Sequence, residues 1–62
     1  MFILITFDGN SKYTTEFESL EEALSGALHA FDLNHELHAL EKDGLCLFLH
    51  CELYEAIGKV IY

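Results

Sequence analysis

Proline and tryptophan are absent from this chain, and its cationic side chains are three lysines with no arginine. Against them stand eleven carboxylates, for a formal net charge of −8. Nucleic-acid affinity comes mainly from Lys and Arg neutralising phosphates, so this balance excludes direct DNA or RNA binding as an expectation. Anionic membrane surfaces are disfavoured for the same reason. Cysteine is scarce too. Cys46 and Cys51 make no disulfide framework, and the start, MFILITF, has neither a basic n-region nor a cleavage site. A cytoplasmic protein with both cysteines as thiols is expected. No apolar run approaches the ~20 residues that a membrane span needs.

Linkers, internal repeats and low-complexity tracts are also missing, which leaves residues 1–62 as a single acidic domain. What the chain has is apolar mass: 52% of its residues, enough for a dense core in a domain too small to be stable without one.

Residues 2–7 (FILITF) form a short continuous apolar run, as in a strand buried on both faces. Asp8-Gly9-Asn10-Ser11 is a turn cluster. Residues 12–18 then alternate, with Tyr13, Thr15 and Phe17 on one side and Lys12, Thr14, Glu16 and Glu18 on the other. A β-hairpin follows from this pattern. Ser19 and Glu22 have capping-box spacing, in which the serine hydroxyl takes one helix N–H and the glutamate reaches back to another. Leu20, Ala23, Leu24, Ala27, Leu28 and Phe31 recur at helical spacing behind it, and Asp32-Leu33-Asn34 ends the helix.

A second hairpin is expected around Asp43-Gly44, a pair suited to a two-residue turn with positive φ. Its register would set Lys42 against Leu45, Leu40 against Leu47 and His38 against Leu49. Residues 45–50 (LCLFLH) are apolar on both faces, like the first strand. Residues 51–62 read two ways. A helix carrying Leu53, Ala56, Ile57, Val60 and Ile61, with Glu55 and Lys59 at ion-pair spacing, is preferred over a fifth strand from Lys59 to Tyr62. The fold expected is α+β: a mainly antiparallel four-stranded sheet of two hairpins, its two apolar strands central, one amphipathic helix on one face, and a C-terminal helix or strand.

No chemistry-bearing motif stands out. Four histidines and two cysteines lie between residues 29 and 51, but there is no C-x-x-C pair. On a strand Cys46 and His50 would sit about 13 Å apart, too far to share one zinc. His35 and His38 would face opposite ways. Glu22, Ser25 and His29 share a helical face, yet a solvated flank explains them without a triad. Phosphate-binding loops and nucleophile elbows are absent. Neither an enzyme nor a cofactor is expected, and His38 is read as a histidine at the core's edge.

Two surface features remain. Glu16, Glu18, Glu21 and Glu22 fall within seven residues, with Asp8 expected near them across the hairpin. Carboxylates gathered in this way suit a docking patch for a basic partner, where complementary charge speeds association. The second feature is an excess of apolar sheet. If one helix covers Leu40, Leu45, Leu47 and Leu49, the opposite face carries Leu37, Ala39, Cys46 and Phe48, a surface for self-association as a homodimer.

The expected function is therefore a non-enzymatic interaction module. Its acidic face would meet a basic protein partner, one that binds nucleic acid in the groove where the carboxylates sit. In size and acidity the chain is similar to small inhibitors encoded by phages and other mobile elements, including anti-CRISPR and anti-restriction proteins. That likeness is one of style, with no motif behind it. Two alternatives are a metal- or ligand-binding regulatory domain using the His/Cys-rich second half, and a structural accessory subunit.

Overall fold

The computed structural model describes residues 1–58. The elements run β1 (Phe2–Asp8), β2 (Ser11–Phe17), α1 (Leu20–Asp32), β3 (Glu36–Lys42), β4 (Leu45–Leu49) and α2 (His50–Ala56). The domain is α+β, with one antiparallel sheet in the order β2-β1-β3-β4. The central strands are thus β1 and β3, and the apolar β4 is an edge. The expectation of two central apolar strands fails because both hairpins pair through their first strand: β3, not β4, adds to β1.

Local chemistry accounts for most element ends. Gly9 has φ 63° at the first central position of the β1–β2 turn, as a type II′ turn requires. At the β3–β4 turn Asp43 (φ 51°) and Gly44 (φ 83°) are both left-handed, the type I′ pattern. The Ser19 Oγ accepts from the Glu22 N–H at 3.2 Å and starts α1. At the other end Asn34 takes φ 65°. The Asn34 N–H donates to the Phe31 carbonyl and the His35 N–H to the Ala30 carbonyl, closing a Schellman motif.

Both helices lie on one face of the sheet. Ala23, Ala27 and Ala30 of α1 meet Leu4, Leu37 and Leu40, and Leu53 and Tyr54 of α2 complete the core. Alanines let α1 sit close to the strands. Leu24 and Phe31 flank that contact, and Leu20 and Leu28 of the expected stripe remain partly exposed, at 39% and 38%. On the outer face Ile5 and Ala39 are buried by their neighbours, while Ile3 and Phe7 are half-buried. Among the described residues no helix crosses that face.

Two β-bulges overturn the expected register. Between β1 and β3, Ile5 pairs with Ala39 but Thr6 pairs with Leu37, which leaves His38 as the extra residue. Between β3 and β4, Lys42 pairs with Leu45 as expected. Glu41 then faces Cys46 and Leu40 faces Phe48, so Leu47 is extra. A bulge changes which side chains share a face. Leu37 is therefore fully buried beneath the helices, not on the outer face, and Phe48 packs half-buried on the same core. Ala39 and Cys46 do belong to the outer face. Leu45, Leu47 and Leu49, expected under the helix, are 71%, 40% and 60% exposed. His38 is exposed with its ring edge-on to Phe7, centroids 5.3 Å apart, and does not pair with Leu49.

The helix reading of the C-terminal segment fits α2, which begins at His50 directly after β4. Its first turn is tied by the Leu49 N–H donating to Glu52 Oε1 at 3.0 Å. The Leu37 N–H and C=O point past the end of β4, and α2 takes both. The N–H donates to the Tyr54 hydroxyl (3.2 Å), and the carbonyl accepts from His50 Nδ1 (2.7 Å). The alternative fifth strand and the Glu55–Lys59 pair involve residues outside those described.

Candidate functional site

Four strands make a sheet wider than two helices can roof. α1 lies mainly over β1 and β3, and α2 over β3 and β4. The inner side of β2 is left partly uncovered, and a cleft of about 710 Å³ opens between α1 and β2. Its floor is apolar, made by Leu4, Phe17, Gly26 and Ala30. Gly26 has a structural reason. A Cβ there would stand 2.3 Å from the Phe17 Cζ, so the bare helix surface is what lets the ring lie down.

The polar groups of the cleft come from three places. From α1, Glu22, Ser25 and His29 line one wall. From β2, Tyr13 and Thr15 line the other. Thr6 of β1 is only 4% exposed. Its hydroxyl has no partner among the described residues. No fully enclosed side-chain polar atom lacks a partner, so the hydroxyl reaches solvent through the cleft. At one end His35 stacks on Tyr13, rings 5.5 Å apart and 18° from parallel, with its Nε2 3.9 Å from Asp8 Oδ2.

Glu22 departs from the expected capping box. The Ser19 half of the box is present, but the Glu22 carboxylate lines the cleft instead of closing back on the serine. Glu22, Ser25 and His29 share this wall without a hydrogen bond joining them among the described residues, so no base is set against the serine hydroxyl.

The acidic residues divide. Glu16 projects from the outer side of β2 opposite Ile3, Glu18 lies in the β2–α1 connection and Glu21 in the first turn of α1; all three are exposed. These stand at one end of the molecule. Asp8 does not join them. It pairs with Ser11 at the turn end, five residues along β1 from Ile3, about 17 Å away at strand spacing. Among the described residues no lysine pairs with any carboxylate. Lys42 instead sits 5.2 Å above the Phe2 ring, and Asp43 is met by the chain's N-terminus at 3.4 Å.

The His/Cys-rich second half is not gathered into a site. His50 holds the Leu37 carbonyl, His38 lies against Phe7, and both cysteines are exposed and free. Among the described residues no group of three His, Cys, Asp or Glu side chains is placed to hold a metal. No helix among them is long and apolar enough to cross a membrane. Comparison with known proteins gives no match, whether to a family model, a curated protein or a solved structure.

The cleft was half legible. The spacing of Glu22, Ser25 and His29 marked one wall, and the alternation of Tyr13, Thr15 and Phe17 marked the other. Their juxtaposition depends on where α1 rests on the sheet, which no local signal carries.

Proposed function

We propose that this chain is a non-enzymatic interaction module whose acidic end docks on a basic protein partner, at a surface that otherwise holds nucleic acid. The supporting observation is that Glu16, Glu18 and Glu21 stand exposed at one end of the molecule and form no ion pair among the described residues. Unneutralised carboxylates on a rigid frame attract a basic surface at long range and orient it on approach. In size and acidity the chain is similar to small inhibitors from phages and mobile elements, and its carboxylates would lie where phosphates otherwise do.

The test compares two variants of the whole chain as bait. Changing Glu16, Glu18 and Glu21 together to Gln removes the acidic end. Changing Glu52 and Glu55 to Gln removes two charges from α2, against three at the acidic end, and Gln keeps the oxygen that caps Leu49. The first variant is expected to lose a basic partner that the wild type and the second variant capture, and capture should weaken as salt rises. Equal capture by both variants would reduce the acidity to general solvation.

The β4 edge favours a second contact, with another copy of the chain. Residues 45–49 carry no charge, so two β4 strands can pair antiparallel without setting like charges together, despite −8 on each chain. The edge position of β4 among the described strands and its exposed leucines suit such pairing.

A further inference from the structure

We infer that the cleft between α1 and β2 is a binding site for a small organic cation, a single ring or short apolar body carrying one protonated amine. Its volume of about 710 Å³ falls in the range of small-molecule sites, roughly 300–1,000 Å³, and exceeds what one side chain of a docked protein would fill. The floor of Leu4, Phe17 and Ala30 takes an apolar body. The sign of the ligand's charge follows from the walls. Among the described residues they contain no lysine, and Lys12, the lysine of β2, belongs to the opposite face of the sheet, opposite Phe7. The wall does hold Glu22, whose carboxylate does not close the capping box and has no partner among the described residues. Tyr13 and Phe17 add aromatic faces, which attract cations. An anion would find hydroxyls and the imidazoles of His29 and His35 on the lining, but would stand against Glu22 and the field of a chain of net charge −8.

Thr6 is the independent observation. A nine-tenths-buried hydroxyl on the cleft lining, with no partner among the described residues, is a donor and acceptor waiting on whatever enters. At 4% exposure it is set too deep to serve general solvation. The site is separate from the acidic end, because Glu16, Glu18 and Glu21 do not line it.

Three probes with similar bodies and different charges test this: 2-phenylethylamine, 3-phenylpropan-1-ol and 3-phenylpropionate. Each is titrated into the isotope-labelled chain to roughly millimolar concentration, and amide shifts are followed by NMR. The amine should give saturable shifts at Thr6, Gly26, Ala30 and His35. The alcohol should bind the same place more weakly, and the carboxylate should leave these residues unmoved. Glu22→Gln should weaken the amine about fivefold, as loss of one exposed ion pair does, and leave the alcohol unchanged. Thr6→Val should weaken amine and alcohol alike, with an unchanged circular dichroism spectrum. Cleft shifts of equal size from amine and carboxylate would overturn the proposal. So would amine shifts that ignore Glu22→Gln, or no saturable shift from the amine at all.

Discussion

The two edges of this sheet are built to opposite rules. β2 presents Lys12, Thr14 and Glu16 along its outer side, and its inner side ends in Phe17 seated on Gly26. Charge and hydroxyls are a usual defence for a strand whose backbone groups face water. β4 has no such defence. Its five residues are Leu-Cys-Leu-Phe-Leu, and its three leucines are 40–71% exposed. Its burial comes from Phe48 alone, the residue that faces the core. In a domain this acidic, an uncharged edge is a local exception. Among the described residues it is the strand that sets no charge against another chain of like charge.

The edges also differ in how they end. β2 runs into α1 through the Ser19 cap, a local device. β4 ends in α2, which is held by long-range contacts: Leu53 in the core, and Tyr54 and His50 on the Leu37 backbone. Removing those contacts should loosen the β4 side and spare the β2 side. Leu53 is fully buried, so Leu53→Ala should have the largest effect, about 3 kcal/mol in a urea melt, from lost burial and a residual cavity. Amide exchange should accelerate first in β4 and α2. Uniform acceleration across β1, β2 and α1 would show that the domain opens as one unit and that the edges are not independently held.

Tyr54→Phe should act on the same lock with less force. It keeps the ring, which meets Phe31 and His50 edge-on at 5.7 and 4.9 Å. It deletes only the hydroxyl that accepts from the Leu37 N–H, a buried donor then left without a partner at a cost of about 2 kcal/mol. The Leu37 amide should exchange faster and shift, with the β1–β2 ladder unchanged. A variant as stable as the parent would mean that another acceptor takes over.

These long-range bonds also explain where sequence reading ran out. Turns and caps were legible because their causes are local: Asp43-Gly44 for the tight hairpin, Ser19 for the start of α1, Asn34 for its end. Strand composition gave the α+β class. The bulges at His38 and Leu47 were not legible. The first lies one residue beyond Leu37, whose backbone pairs with Tyr54 and His50, 17 and 13 residues onward. A one-residue slip moves side chains between faces. The expected apolar surface of Leu37, Ala39, Cys46 and Phe48 was divided in that way. Glu16, Glu18, Glu21 and Glu22 are close in sequence, but Asp8, expected near them, lies at the far end of its hairpin.

The smallest expected effect on stability gives the sharpest contrast between the edges. Thr14, Ile5, Ala39 and Leu49 form one row across the outer face, Thr14 on the β2 edge and Leu49 on the β4 edge. Both end residues are exposed. Placing lysine at either should change stability by within about 0.5 kcal/mol, as exposed substitutions usually do. Their effects on assembly should differ. A lysine at Thr14 joins an edge already rich in charge, whereas a lysine at Leu49 puts a charge at each end of an antiparallel β4 pair, against the apolar Leu45 of the other copy. Light scattering across a concentration series should therefore show the wild type and Thr14→Lys gaining mass together, with Leu49→Lys remaining a monomer. A wild type that stays monomeric throughout would remove the second copy from β4 and leave that edge to a different partner. Equal loss of association in both variants would place the contact on the shared outer face, where the row's two ends count alike. The substitution is the same at both positions, so only the character of each edge separates the outcomes.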